Sequence, residues 1–418
     1  MVSNIYNMHI EKLKDFIEFC KLTKRLVIVP YGISSRWCNN HCKFCYLKAG
    51  WEAKVKNIEF FIDIKNKVIS TISEILNELP KETIVELDYT GGELFCLSDS
   101  HYKVYRELLD ELDEICLKYD FKIRAVFSTN LIYNDDRLDK LIELFNYAES
   151  KGIISEVISS FDLWGRFENE DSANMWWHNI ERLSNETSHK PRAEMVLCKP
   201  SIDIFNNDED TYTMRIFKKI LDNPDKVMFF FENYVPNNPN NINLVPSDED
   251  KIKMFKILID KYWSKLELLD AFRSDYEIEV NRDEEKPKYQ DCSSAFYGNH
   301  IVKNWKNDLK LYDDETPLYN ITNCIDRSLG LWPDNKEFPN KADVLKPNTY
   351  LGNGYMCLNH LDKVNNFYLN KFGCGSCKFK QYCYKNNLRG CYLEHNFKWS
   401  SDKCWKKEVF KYAENLHR

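Results

Sequence analysis

Between residues 25 and 234, short apolar runs alternate six times with longer segments of helical rhythm, and this alternation constrains the fold more than any other feature. The strand candidates are RLVIVPYGI (25–33), TIVELDYT (83–90), FKIRAVFS (121–128), ISEVISSF (154–161), AEMVLC (193–198) and KVMFFFENY (226–234). They are rich in Val, Ile, Phe and Tyr and short enough to be strands. Segments 61–79, 102–119, 137–149 and 175–183 carry apolar residues at three- and four-residue spacing. Repeated strand–helix units pair their strands in parallel through right-handed crossovers. Near-continuous apolar strands fit a sheet covered on its outer face. The expectation is an α/β fold: a partial (β/α)6 TIM-like barrel over 25–245, with a helical lead-in over 1–24. A flat doubly wound sheet is the alternative.

The pattern breaks after the sixth strand. VPNNPNNINLVPSDED (235–250) reads as loop. Ser247 can cap the helix that follows, with Asp250 at the box position, so 246–290 reads as a helical linker. Residues 291–418 differ in kind, with few periodic segments and most of the later cysteines, and are expected to form a small metal-dependent domain. No repeat of 20 to 50 residues is apparent.

The net charge of −7 gives no support to nucleic-acid binding. The N-terminal twenty residues lack a signal-peptide core, and no run of eighteen apolar residues occurs. A cytoplasmic protein with no membrane association is expected. In that compartment 15 cysteines serve metal or redox chemistry rather than disulfides.

Three of them lie within eight residues, Cys38-x3-Cys42-x2-Cys45, just after the first strand. Barrel enzymes place their catalytic loops there. Three thiolates can ligate three irons of a cubane cluster and leave one iron open, whereas zinc would want a fourth ligand, for which His41 is at hand.

Cys38-x3-Cys42-x-Phe44-Cys45 resembles the signature of the radical S-adenosylmethionine (SAM) enzymes, including the aromatic residue Phe44 before the last cysteine. The resemblance implies a [4Fe–4S] cluster on these cysteines. Its open iron would bind SAM and reductively cleave it to a 5′-deoxyadenosyl radical that abstracts hydrogen from substrate. It also implies an electron donor such as flavodoxin or ferredoxin. Gly91, Gly92 and Glu93 at the end of strand two resemble the motif that contacts the SAM amino group. Ser128 and Asn130, ending strand three, resemble the ribose-contacting strand. Ser160, Asp162 and Arg166 after strand four look like the set that holds the SAM ribose and carboxylate, a role suited to a bidentate guanidinium. Val196 and Leu197 on strand five would present apolar surface to the adenine.

In the C-terminal region, Cys374-x2-Cys377-x5-Cys383 and the later Cys404 resemble the SPASM extension of that family, which holds an auxiliary [4Fe–4S] cluster. The chain departs from the usual C-x5-C-x3-C spacing, because seven residues separate Cys383 from Cys391. PDNKEFPN has Asn335 and Asn340 where the family hairpin has glycine and cysteine. A second auxiliary cluster on Cys324, Cys357 and Cys391, with Cys292 as a fourth ligand, is the further expectation. Spacing alone also allows a structural zinc.

Of the remaining cysteines, Cys20 and Cys116 read as buried helix thiols, while Cys96 and Cys198 could face a cavity. MWWHNI (175–180) reads as a packed helix face, and FFFENY (229–234) as core strand, with Glu232 and Tyr234 within reach of the barrel mouth. The resemblance points first to a peptide or protein maturase that forms crosslinks or oxidises side chains. Few residues precede strand one, so the substrate would be recognised by the barrel and auxiliary domain or by a separate protein. A small-molecule radical epimerase or dehydrogenase acting on a carbohydrate or aminoglycoside is the second reading. A zinc-stabilised binding protein without catalysis is the third.

Overall fold

The computed structural model describes residues 25–31, 36–45, 49–233, 243–262 and 404–416, with short pieces at 295–297, 320–322, 350–351, 355–356 and 376–378. Six strands carry the fold: β1 Arg25–Val29, β2 Ile84–Tyr89, β3 Lys122–Thr129, β4 Ile154–Ser160, β5 Arg192–Leu197 and β6 Met228–Asn233. Each pairs in parallel with the next, from β1↔β2 through β5↔β6. The order β6-β5-β4-β3-β2-β1 never reverses. A doubly wound sheet reverses at a switch point and sends helices to both faces. The strictly sequential order seen here is consistent with a partial barrel.

The intervening helices are α1 Ile58–Ile75, α2 Asp99–Tyr119, α3 Asp135–Ser150, α4 Glu170–Glu186, α5 Lys199–Asn206 and α6 Tyr212–Asp222. Asn57 caps α1, its side chain accepting from Phe60 N. Asn169 and Ser172 form a reciprocal capping box on α4. The last two helices, between β5 and β6, were not visible as periodic segments. Yet both carry local start signals, Pro200 in the first turn of α5 and Thr211 accepting from Met214 N at the head of α6. Helix α7, Asp248–Tyr262, begins where the capping box places it: Ser247 Oγ accepts from Asp250 N at 3.1 Å and donates to Asp250 Oδ2 at 2.7 Å.

Apolar burial sits between the outer face of the sheet and these helices. Val85, Leu87, Tyr89, Ala125, Phe127, Val157, Ala193, Met195 and Phe229 point into it, with the core residues of the helices. Tyr89 and Phe127 stack across the β2–β3 pair with centroids 5.5 Å apart. Trp176 and Trp177 are buried on α4, so MWWHNI is the packed face it resembled.

The inner face differs from the near-continuous apolar expectation. Along β4 and β5, outward residues are buried while inward ones are half-exposed. The inward residues include Glu86, Arg124, Glu156, Arg192 and Glu194. Arg124 lies 3.4 Å from Glu86 and pairs with Glu156. Arg192 lies 3.7 Å from Glu156 and 2.6 Å from Glu194. Acid and base thus alternate across four strands.

Two short antiparallel strands, β7 Ala295–Tyr297 and β8 Asn320–Thr322, extend the sheet beyond β1. A small pair, β9 Tyr350–Leu351 and β10 Tyr355–Met356, is also antiparallel. Helix α8, Trp405–Leu416, packs on α7 and joins the main core through Trp405, Val409 and Ala413. The Phe255 and Trp405 rings lie 5.3 Å apart, and Tyr412 Oη donates to Asp260 at 2.6 Å. Among the described residues, no helix is long and apolar enough to cross a membrane.

Candidate active site

The cysteine loop runs over the carboxyl ends of β2, β3 and β4 and is tied to each. It closes on itself first: Cys38 N donates to Gly50 O at 3.2 Å, and Gly50 N to Arg36 O at 3.1 Å. At β2, Glu93 N donates to Trp37 O at 2.8 Å. A Cβ on Gly92 would lie 1.9 Å from that same carbonyl oxygen, so only glycine lets the two backbones meet. At β3, Asn130 Nδ2 donates to Asn39 Oδ1 at 2.7 Å, and Asn39 Nδ2 donates to Ile132 O at 2.5 Å. At β4, Lys43 N donates to Gly165 O at 2.9 Å; Gly165 has a φ of +77°, the left-handed region open to glycine.

These ties aim N–H groups at the three sulfurs. Cys38 Sγ accepts from Asn40 N at 3.4 Å and Asn130 Nδ2 at 3.5 Å. Cys42 Sγ accepts from Asn40 Nδ2 and from the Arg166 guanidinium, each at 3.4 Å. Cys45 Sγ accepts from Ala49 N at 3.4 Å. Five donors on three sulfurs suit thiolates, because each N–H offsets negative charge on sulfur, and such second-shell bonds tune a bound metal group. Burial, followed by the nearby Glu93 carboxyl, pushes the free Cys38 thiol up to about 12. Burial also raises Cys42, against the pull of Arg166. Iron would displace these protons.

Among the described residues, no three His, Cys, Asp or Glu side chains converge on one point. A mononuclear tetrahedral zinc needs that convergence, whereas a cubane takes each thiolate on a different iron. His41 is otherwise engaged, with Nδ1 3.3 Å from Glu52. Three cysteine sulfurs that each accept an N–H are a donor set that a cluster can use.

Glu93 is fully buried and works inward. Its Oε1 accepts from Phe95 N at 3.2 Å and Thr129 Oγ1 at 2.9 Å, and its Oε2 from Asn130 N at 2.6 Å. Burial pushes its carboxyl up to about 7, against those three donors. It thereby clamps the end of β3 and, through Asn130, orients a donor onto Cys38. Ser128 faces the inner side and donates to Asp88 Oδ1 at 3.1 Å, where Thr90 also donates at 2.8 Å. Asp162 is buried, accepting from Arg166 Nε at 2.6 Å and Val196 N at 2.9 Å. Burial pushes it up to about 6, opposed by Arg166. Arg166 is thus held between Asp162 and Cys42, its guanidinium 5.5 Å from the Phe44 ring centre.

Phe44, Cys198 and Leu244 form a small apolar cluster with Val196 and Cys42 against it. Val196 lies on this inner side. Leu197, its neighbour, belongs to the main core on the outer face, as strand alternation requires. Gly91 and Ser160 sit half-exposed at their strand ends. Cys198 is buried with Sγ 3.3 Å from Ser201 Oγ, and burial pushes its thiol up to about 11. Cys116 is a buried helix thiol. Of the auxiliary set, Cys377 and Cys404 are described and half-buried. Cys292, Cys324, Cys357, Cys374, Cys383 and Cys391 lie outside the described residues, as do Cys20, Tyr234 and the lead-in over 1–24. Asn39, Asn40, Thr129 and Gly165 emerge as site residues that motif reading missed. Their one sequence signal is the Asn-Asn pair inside the cysteine loop.

Residues 33–149 match the radical SAM superfamily model, so the chain carries a radical SAM superfamily domain there. That span takes in the three cysteines, Gly91 to Glu93 and Ser128 to Asn130. No curated protein matches the chain. Among solved structures, a mutant of Thermobaculum terrenum O-GlcNAc hydrolase aligns at 12% identity over 49% of this chain and 43% of that chain, with a TM-score of 0.23. A score that low carries no argument.

Proposed function

We propose that the protein is a radical SAM enzyme acting in the post-translational modification of a peptide or protein, by crosslinking or side-chain oxidation. The observation behind it is the cysteine loop stitched to three strand ends, with an N–H donor on every sulfur. Cys38, Cys42 and Cys45 would hold the cluster, and Val196 and Phe44 would line the apolar side of a SAM site. When bound, the cluster and SAM together supply a one-electron reduction that yields a carbon-centred radical able to take hydrogen from substrate.

The chain's own part is placement. Gly92 lets the loop seat on β2, Asn130 and Asn40 hold the sulfurs, and Asp162 fixes the direction of Arg166. Phe44, Leu244 and Cys198 keep water from one side of the site, which protects a reactive intermediate. The auxiliary cysteines, Cys374, Cys377, Cys383 and Cys404 with Cys292, Cys324, Cys357 and Cys391, would add one or two clusters and wall the substrate path. The half-exposed charges on the inner face suit a polar substrate. That observation also favours a second reading, a carbohydrate or aminoglycoside epimerase or dehydrogenase.

The test is iron and zinc per chain on anaerobically purified protein, then dithionite and SAM with 5′-deoxyadenosine as the readout. About four irons with 5′-deoxyadenosine support the radical SAM reading, and about eight to twelve add auxiliary clusters. Zinc without iron and no 5′-deoxyadenosine after reconstitution would refute it. A peptide substrate is tested separately, by the mass change of a candidate precursor incubated with the active enzyme.

A further inference from the structure

The chain turns sharply where β3 ends, and the turn is strained. Leu131 has a φ of +54°, in the left-handed region that a leucine rarely enters, and its side chain is fully buried. The turn decides where Asn130 points. Ile132 N donates to Asn130 Oδ1 at 2.8 Å, which fixes the oxygen end of that amide. Its Nδ2 is left for Asn39 Oδ1 at 2.7 Å and Cys38 Sγ at 3.5 Å. A backbone outlier of this kind persists only where its surroundings over-determine it. Here Leu131 N donates to Thr129 Oγ1 at 3.2 Å. Asn179, on α4, holds the carbonyls: its Nδ2 donates to Leu131 O at 3.0 Å and to Tyr133 O at 2.8 Å.

Asn179 belongs to the MWWHNI stretch, whose tryptophans are the packed face of α4. It is buried there with Trp176, Ile180 and Leu183. The helix is itself set on β4 by Trp176 Nε1, which donates to Ser159 Oγ at 3.0 Å. An amide in a packed helix face is a cost, and here Oδ1 adds to it, being buried with no hydrogen-bond partner among the described residues. What the position gains is two donated bonds, to the carbonyls on either side of Ile132. We propose that Asn179 is a positioning residue for the cysteine loop: by holding the left-handed turn at Leu131 it aims the Asn130 amide at Cys38, and so tunes the reduction potential of a cluster on that sulfur. Both its bonds go to backbone, so it acts through the turn and Asn130. This rests on the reading that Cys38, Cys42 and Cys45 hold a cluster. An N–H on a ligand sulfur favours the more negative, reduced cluster, so losing that bond lowers the potential.

The test is a redox titration of anaerobic holoprotein that follows the electron paramagnetic resonance signal perturbed by added SAM, the mark of a cluster with an open iron. Asn179→Leu removes both donors at similar volume. It should make reduction of that cluster about tenfold less favourable, which is about 59 mV for one electron. Asn130→Ala should shift the potential by the same amount, and the double variant by no more. Ile180→Val, next along α4 and fully buried, is the control: it should lower stability and leave the potential unchanged. In the metal-free protein, the urea-unfolding costs of Asn130→Ala and Asn179→Leu should be less than additive. If Asn179→Leu does not fold, Asn179→Ser takes its place with the same expected direction. An unchanged potential in the Asn179 variant, or shifts that add in the double variant, overturns the positioning role and leaves the cluster reading standing. Additive unfolding costs overturn it with or without metal. Wild-type protein that takes up no iron on reconstitution ends the cluster reading, and the positioning role falls with it.

Discussion

The two faces of the parallel sheet use the same strands for opposite purposes. On the outer face, Leu87, Tyr89, Phe127 and Met195 are fully buried in the main core with residues of the helices. On the inner face, one residue along in each strand, stand Asp88, Ser128, Glu194 and Val196. The outer face is under a packing constraint, because a lost methylene there leaves a cavity. The inner face is under less of that constraint and carries most of the candidate site residues. The lesson is that stability and function in this chain should separate by residue parity along a strand.

That separation can be broken or sharpened. The largest effect is expected for Cys42→Ala, which should abolish 5′-deoxyadenosine formation while leaving the thermal midpoint of the metal-free protein within about 4 °C of wild type. Cleavage that survives the change would remove the loop from the mechanism. Phe127→Ala, on the outer face, should cost about 3–5 kcal/mol in urea unfolding. A cost below about 1 kcal/mol would mean the outer face is not the seat of stability.

Glu93 falls between the two classes, since it is a titratable group in a sealed position. Its folded-state value is raised from the ordinary 4.5 to about 7. The folded protein therefore holds its proton more tightly than the unfolded chain does. The stabilisation from this group is full below about pH 4.5 and is lost as pH rises to about 7, a change on the order of 3 kcal/mol. Unfolding midpoints of the metal-free protein should slope downward in wild type and, between about pH 6 and 7, flatten in Glu93→Gln, the slope below about pH 6 being shared with Asp162. A slope that persists in the variant must come from another group. The smallest effect is expected for Arg192→Met on the inner face, within about 1 kcal/mol, because its ion pairs are half-exposed and screened. A cost above about 3 kcal/mol would show that the charged inner face holds the barrel together.

Much of the site was legible in the sequence, and the reason differs by residue. Cys38, Cys42 and Cys45 are close in sequence, so their spacing alone carries information. Glu93 was legible as a motif but not in its role, because its partners Thr129 and Asn130 lie 36 and 37 positions further along the chain. Gly92 is required by the carbonyl of Trp37, a contact between segments remote in sequence that no local pattern encodes. Arg166 is four residues from Asp162 but 124 from the Cys42 sulfur it touches, so only its first partner could be read locally. The helices α5 and α6 were missed although each carries a start signal, because two short helices in one crossover offer too few turns for periodicity to register.

By itself the sequence determined the strand–helix alternation, the α/β class, the Ser247–Asp250 helix start and the three-cysteine loop. All of these depend on neighbours within a few turns of chain. Tertiary structure alone decided that the strands run in unbroken order and that Glu86, Arg124, Glu156 and Arg192 pair across one face. It also decided that β7 and β8 join the far edge, and that Asn40, Ala49, Asn130 and Arg166 aim N–H groups at the same three sulfurs. The physical reason is range. Periodicity and capping are local energies, whereas a hydrogen bond to sulfur from another strand exists only once the sheet has set the register that brings the two together.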